Sequence, residues 1–296
     1  MRYIVVAFFI LSVSSFFSCR PEPLSIELEP FENQVVVFSQ IIPGEFMTIL
    51  LTKTISALDF SEEEGDSVNQ GFLNSLLETE AMVTISYREV VDTLFEIPAN
   101  NGMGTGVYAS VQTPQYINEE YELKVETKDG QTLSAKSIML PLIEFDEVLP
   151  NIERTNEDTL VKVDFKFTDL PGDNWYMLNF YTKGNGNQQG VDLNSFFNSG
   201  SNLLKKTELI SDAVMEGNIY EGTVELPDVS PTDSMVVTIS NINETYFKFL
   251  EVRKTSSNFF TEITKEPISA PTNVEGGLGF FNTHFPDLEY FDLNDF

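Results

Sequence analysis

One cysteine, one histidine and one tryptophan are all that 296 residues supply. A single cysteine excludes an internal disulfide framework, which takes an even set. A single histidine excludes a zinc centre of the usual kind, assembled from several His or Cys ligands. Basic side chains are also scarce: 17 Lys and Arg stand against 46 Asp and Glu, for a formal charge of −29. Such a surface repels nucleic-acid phosphates and anionic headgroups, and no basic patch offsets it, so nucleic acid is not an expected partner. The longest nearly unbroken apolar run, Ile4–Val13, falls short of the roughly 20 residues that span a bilayer. No repeat shows at solenoid or propeller periods. No Walker sequence is present, and Gly102-Met103-Gly104-Thr105-Gly106 lacks the spacing of a dinucleotide fingerprint, which leaves it a hairpin loop.

What is present starts at the amino terminus. Arg2, the apolar run Ile4–Val13 and Ser18 have the order of a secretory signal: charge, apolar stretch, small residue at the cut. Phe16-Phe17-Ser18-Cys19 resembles a bacterial lipobox with Phe16 in the place usual for Leu. The expectation is cleavage before Cys19 and lipid on its thiol, and two or more acyl chains would hold the protein at a membrane. Losing Arg2 with the signal takes the charge from −29 to −30. Arg20-Pro21-Glu22-Pro23 then reads as a short extended tether.

The rest is patterned as strands. Val35–Ile42 and Phe46–Lys53 are β-branched or aromatic runs around the turn Pro43-Gly44. Asp59–Asp66 reads as loop, and 71–79 as one or two helical turns. Residues 81–87 alternate strictly, as a strand with one buried face does, and Val91–Ile97 is another strand. Asp129-Gly130 between Tyr121–Thr127 and Thr132–Leu140 is a strong hairpin signal, because both central positions tolerate positive φ. Thr159–Phe167 alternates, and Trp175–Thr182 follows the turn 171–174. Residues 184–202 read as a long loop, and Gly222–Leu226 and Ser234–Ser240 as strands. Asn241 with Glu244 three residues on suggests a capping box, with Tyr246, Phe249 and Leu250 on one face of the helix. The expected organisation is mostly β. It runs as a signal over 1–18, a lipidated tether over 19–24, an immunoglobulin-like sandwich over 25–142 and a second β-rich, sandwich-like domain over 143–296. The second carries a helix near 243–256 and an irregular Gly-rich tail.

Several of these segments resemble a known family. Tyr121-Glu122-Leu123-Lys124-Val125 with Asp129-Gly130, Ala135 and Pro141 is similar to the first-domain hairpin of the Bacteroidota family labelled domain of unknown function 4249. Residues 163–169 and Asn174-Trp175-Tyr176 resemble its next strand, with Trp175 in place of the usual Tyr. Tyr246, Phe249 and Leu250 resemble its aromatic helix, and residues 271–274 and 276–281 its closing proline and glycine motif. The resemblance implies an outer-membrane lipoprotein at the cell surface, a companion of TonB-dependent, SusC-like barrels.

Candidate chemistry is thin. A Ser-His-Asp triad would have to use His284, and no Gly-x-Ser-x-Gly segment accompanies it. Acids are abundant but no pair stands out for glycoside hydrolysis. Glu62-Glu63-Glu64-Gly65-Asp66 and 287–295 offer oxygen ligands, yet neither has EF-hand spacing, and a solvated loop and tail are the plainer readings. No metal or cofactor is therefore expected. Cys19 is the lipidation site. Trp175 and Tyr176 are candidate ligand contacts by stacking, with one of them expected to face the core. Phe291 and Phe296 make the acidic tail a candidate partner contact. Gly276–Phe281 reads as glycines for close approach, with Leu278, Phe280 and Phe281 as anchors. The leading expectation is an accessory or binding subunit of a TonB-dependent barrel, engaged in nutrient uptake. The alternatives are a structural subunit of an outer-membrane assembly or secretion complex and a surface-polymer hydrolase.

Overall fold

The computed structural model describes residues 33–41, 47–54, 75–99, 102–110, 115–154, 159–183, 204–214, 218–226, 229, 234–255 and 270–296. Cys19, the Pro43-Gly44 turn, the acidic stretch 62–66 and the loop 184–202 lie outside them.

The first seven strands are β1 (Val35–Ile41), β2 (Met47–Lys53), β3 (Met82–Tyr87), β4 (Val90–Glu96), β5 (Val107–Ala109), β6 (Glu120–Glu126) and β7 (Thr132–Ile138). Their hydrogen-bonded order is β7-β6-β3-β4-β5-β2-β1. The expected alternation holds: Val83 and Ile85 of β3 are buried while Met82 is exposed. Inward side chains of β1, β2 and β5 share one core with those of β3, β6 and β7, including Val37, Ile49, Leu51, Tyr108, Leu123 and Leu133. The two arms of this sheet therefore face each other as a sandwich. Of the stretch 71–79, expected to be helical, Leu77 forms a β-bridge to Thr52. The β6–β7 turn differs from the expected two-residue form. The Thr127 N–H donates to the Gln131 carbonyl and the Gly130 N–H to the Thr127 carbonyl. Of the residues between, only Gly130 has positive φ, so this is a three-residue loop closed by a left-handed glycine.

The second sandwich uses β8 (Phe145–Arg154), β9 (Thr159–Thr168), β10 (Trp175–Lys183), β11 (Leu204–Ser211), β12 (Ile219–Leu226), β13 (Ser234–Ile242) and β16 (Asp287–Asp292). Two sheets, β12-β9-β8 and β11-β10-β13-β16, enclose Val163, Phe165, Phe167, Tyr176, Leu178, Phe180, Val237 and Ile239. β8 has no clean alternation, and Pro150 stands inside it. Proline lacks the N–H a central strand must donate, and β8 is indeed an edge.

Between β13 and β16 the chain leaves this sandwich. The helix α1 (Glu244–Thr255) comes first. Its cap is Asn243 rather than Asn241: the Asn243 Oδ1 accepts from the Tyr246 N–H at 2.7 Å, while Asn241 belongs to β13. Tyr246 and Phe249 are buried as expected, and Phe247 joins them. They pack with Met177, Ile242 and Phe280, and with the part-buried Phe38 of β1. The helix thus fills the junction between the sandwiches.

The tail, expected to be irregular, forms two short strands before β16: β14 (Val274–Glu275) and β15 (Leu278–Phe280). β14 pairs with β7, and β15 pairs in parallel with β1. This strap covers both outer edges of the first sandwich. Its strand character escapes a reading by pattern because each piece is only two or three residues long and its partners are remote in sequence. The glycines are used for approach. A Cβ on Gly277 would lie 2.2 Å from Leu133 Cδ2 and 2.6 Å from the Val35 carbonyl oxygen. A Cβ on Gly279, at φ +90°, would lie 2.0 Å from the Val37 carbonyl oxygen. Phe280 and Phe281 are buried anchors, and Leu278 is half-buried.

Candidate functional site

Tyr176 and Trp175 separate as a strand of period two requires. Tyr176 is 0 % exposed. Its hydroxyl donates to Asp169 Oδ1 at 2.6 Å and accepts from the Leu170 N–H at 3.0 Å. Burial, with the neighbouring Asp169 charge, holds this phenol well above its ordinary pKa. Tyr176 has no surface with which to meet a ligand; its role is to tie the 169–174 turn to the core. Trp175 points the other way and packs, part-buried, beside the α1 cluster. Phe291 packs against the core of the second sandwich and meets Phe296 edge-on at 6.1 Å. Phe296 is 49 % exposed. These residues do not converge. Trp175 pairs with Ile242 and Phe291 with Met235, at opposite ends of β13, roughly 23 Å apart at strand rise.

His284 is buried at the junction. Its Nδ1 lies 3.2 Å from Asn282 Nδ2, so the ring accepts there. Burial lowers its pKa to about 4, and it is neutral at neutral pH. Around it runs a seam of polar contacts between the strap and both sandwiches. The Asn282 N–H donates to Ser39 Oγ, the Thr283 N–H to Ser137 Oγ, and Asn243 Nδ2 to Asn282 Oδ1. These bonds satisfy buried groups. They fit His284 to a place in the core rather than to a triad. The acidic stretch 287–295 is mostly strand: Asp287 Oδ2 accepts from the Phe145 N–H at 2.8 Å, joining β16 to the start of β8. Among the described residues no group of three or more His, Cys, Asp or Glu is placed to hold a metal ion. No helix among them is long and apolar enough to cross a membrane.

The 102–106 loop is a packed hairpin connection. The Glu96 carboxylate accepts from the Gly106 and Glu80 N–H groups, both at 3.0 Å. A Cβ on Gly104 would lie 2.5 Å from that carboxylate.

A feature that reading by motif missed is an open groove of about 480 Å³ on the outer face of β3, β6, β7 and β14. Register places its residues. Met82 lies opposite Glu126, and Glu126 opposite Thr132. Thr84 lies opposite Lys124, Lys124 opposite Ser134, and Ser134 opposite Glu275. One residue beyond the terminal pair Val83 and Leu94 stand Met82 and Phe95, which are 56 % and 52 % exposed. Hydroxyls thus line the floor, carboxylates stand on two sides, and an apolar lip closes a third. The available signal was the alternation of β3, which puts Met82 on the solvent face with Thr84.

The profile of the family described as Domain of unknown function (DUF4249) matches residues 21–284. The chain belongs to this family. The matched span starts two residues after Cys19, contains both parts of the strap and ends on His284 in the buried seam. No curated protein matches the chain. Among solved structures, the chicken interferon gamma receptor alpha chain is similar at 10 % identity and a TM-score of 0.18, over 71 % of this chain and 89 % of that one. For this member of the DUF4249 family the sandwich fold rests on its own strand order and cores.

Proposed function

We propose that the protein is an outer-membrane lipoprotein, held at the cell surface by lipid on Cys19, that serves as an accessory or binding subunit of a TonB-dependent, SusC-like barrel in nutrient uptake. The observation that carries this reading is Cys19: the chain's only thiol, placed after a small residue at the end of a secretory signal. The folded body supports binding rather than chemistry. Its one histidine is buried and bonded within the core, and the outer face of the first sandwich carries an open groove. Metabolic labelling with an alkyne fatty acid tests the anchor: wild type is expected to take the label and Cys19→Ala to lose it and leave the membrane fraction. Gentle detergent extraction tests the partnership, with a TonB-dependent barrel expected to copurify. Recovery as a free monomer under every extraction condition rejects the accessory role. Copurification with assembly factors in place of a transporter points to a structural subunit instead.

A further inference from the structure

We infer that the groove end of the first sandwich, with its Met82–Phe95 lip, docks a protein partner in the same membrane through a cationic segment of that partner flanked by apolar side chains. The inference rests on the lipid-anchored reading and adds to it the surface and the chemistry of contact. Three observations carry it. First, Met82 and Phe95 neighbour each other on the solvent face of adjacent inner strands, each more than half exposed. Around the lip that face is Thr, Ser, Lys and Glu, its other exposed apolar side chains, Val91 and Ile138, standing at the far end of the strands, and a paired large apolar lip is what an interface core uses. Second, the charge beside the lip is negative. Glu126 lies opposite Met82, and Glu275 stands across the groove. Lys124, the one cation among the lining residues, lies 3.5 Å from the Glu122 carboxylate. A Lys or Arg from a partner complements this wall, whereas anionic lipid headgroups are repelled by it.

Third, the chain enters β1 at this same end. The Gln34 N–H donates to Thr54 Oγ1 and the Thr54 N–H to the Gln34 carbonyl, both at 2.8 Å. Val35 pairs with Lys53, and the adjoining strands bring Met82, Glu126, Thr132 and Gly276 to that level. Thirteen residues separate Cys19 from Asn33, a reach of no more than about 50 Å. A partner embedded in the membrane therefore meets this end within the span of the tether.

The test places a photo-crosslinking amino acid at Met82, at Phe95 or, as control, at the exposed Ile219 of the second sandwich, in the full-length lipoprotein in its native cells. After irradiation, the first two positions are expected to form an adduct with an integral outer-membrane protein, through a peptide of it that contains Lys or Arg. Ile219 is expected to form none. In Glu126→Lys/Glu275→Lys, whose altered side chains are exposed, the adduct is expected to fall about tenfold while the melting curve is kept. Adducts to lipid alone overturn the inference, as does a yield indifferent to the charge reversal. So does a barrel adduct from Ile219 with none from Met82 or Phe95, an outcome that leaves the accessory role standing. Failure of every position to reach a barrel, together with no copurification, removes both.

Discussion

In the first sandwich the strands run β7-β6-β3-β4 and then β5-β2-β1; in the second they run β16-β13-β10-β11 and then β12-β9-β8. Taken hairpin by hairpin, these are the same path, walked twice with unrelated sequences. The two are closed by different means. In the first, β4 pairs with β5, so both arms belong to one sheet, and the strap covers the free edges of β7 and β1. In the second, the described strands form two separate sheets, and the Asp287–Phe145 bond links their edge strands. Pro150 in β8 and the carboxylates of β16 discourage further pairing there. Strand order thus sets the path, and the edges decide how each copy is sealed. The first is sealed by backbone from far downstream, Val274 beside Ala135 and Leu278 beside Val36, and the second by its own side chains.

The largest expected effect breaks the first seal alone. Gly279→Val puts a branched side chain where even a Cβ would lie 2.0 Å from the Val37 carbonyl, at φ +90°. Overpacking plus backbone strain should cost about 4 kcal/mol or more, read as a lower urea midpoint, with hydrogen exchange rising first in β1 and β7. Equal early exchange in β8 and β16 would show that the two sandwiches open together.

The next effect tests the junction. His284 binds a proton at about pH 4 when folded and near its ordinary 6.5 when unfolded. Between those values the unfolded chain holds more protons, so acidification favours unfolding. The stabilisation from keeping the ring neutral is complete above pH 6.5 and is lost as pH falls towards 4. The loss should be about 3 kcal/mol. Wild type should lose that much more than His284→Gln over this range in paired denaturation series, and parallel curves would refute it.

The smallest effects compare two tyrosines. Tyr121 of β6 accepts from the Gln115 and Tyr116 N–H groups at 3.3 and 3.1 Å, the tyrosine-corner arrangement of immunoglobulin-like domains. Tyr176 makes an analogous tie from β10, the counterpart of β3 in the shared path, and adds a bond to a carboxylate. Tyr176→Phe should cost about 2–3 kcal/mol and Tyr121→Phe about 1–2 kcal/mol, since hydrogen bonds to charged groups are the stronger kind. Equal losses would mean that the Asp169 bond adds nothing.

Much of this was legible in the chain. Alternation located β3, β6, β7 and β9, the turn at 171–174 located β10, and the β6–β7 hairpin and the aromatic helix face were legible, although the hairpin's loop is three residues rather than two. What escaped reading was non-local. β8 is masked by Pro150 and its acids, β14 and β15 are too short to show a period, and the shared strand path has no sequence repeat to betray it. The groove could not be read because its residues come from four strands brought together by register. The cap moved from Asn241 to Asn243 because β13 runs two residues further than its pattern suggests. Tyr176 was legible as half of an in–out pair, but not as the inward half.

The strap has a consequence for the order in which the molecule is made. A chain synthesised from its amino terminus completes β1 to β7 early, yet the pieces that cover their edges lie at 274–280. Until those residues emerge, the first sandwich presents two bare strand edges to its surroundings, the condition under which nascent β proteins misassociate. A late stop codon that removes the strap should therefore harm the first half of the molecule as much as the last.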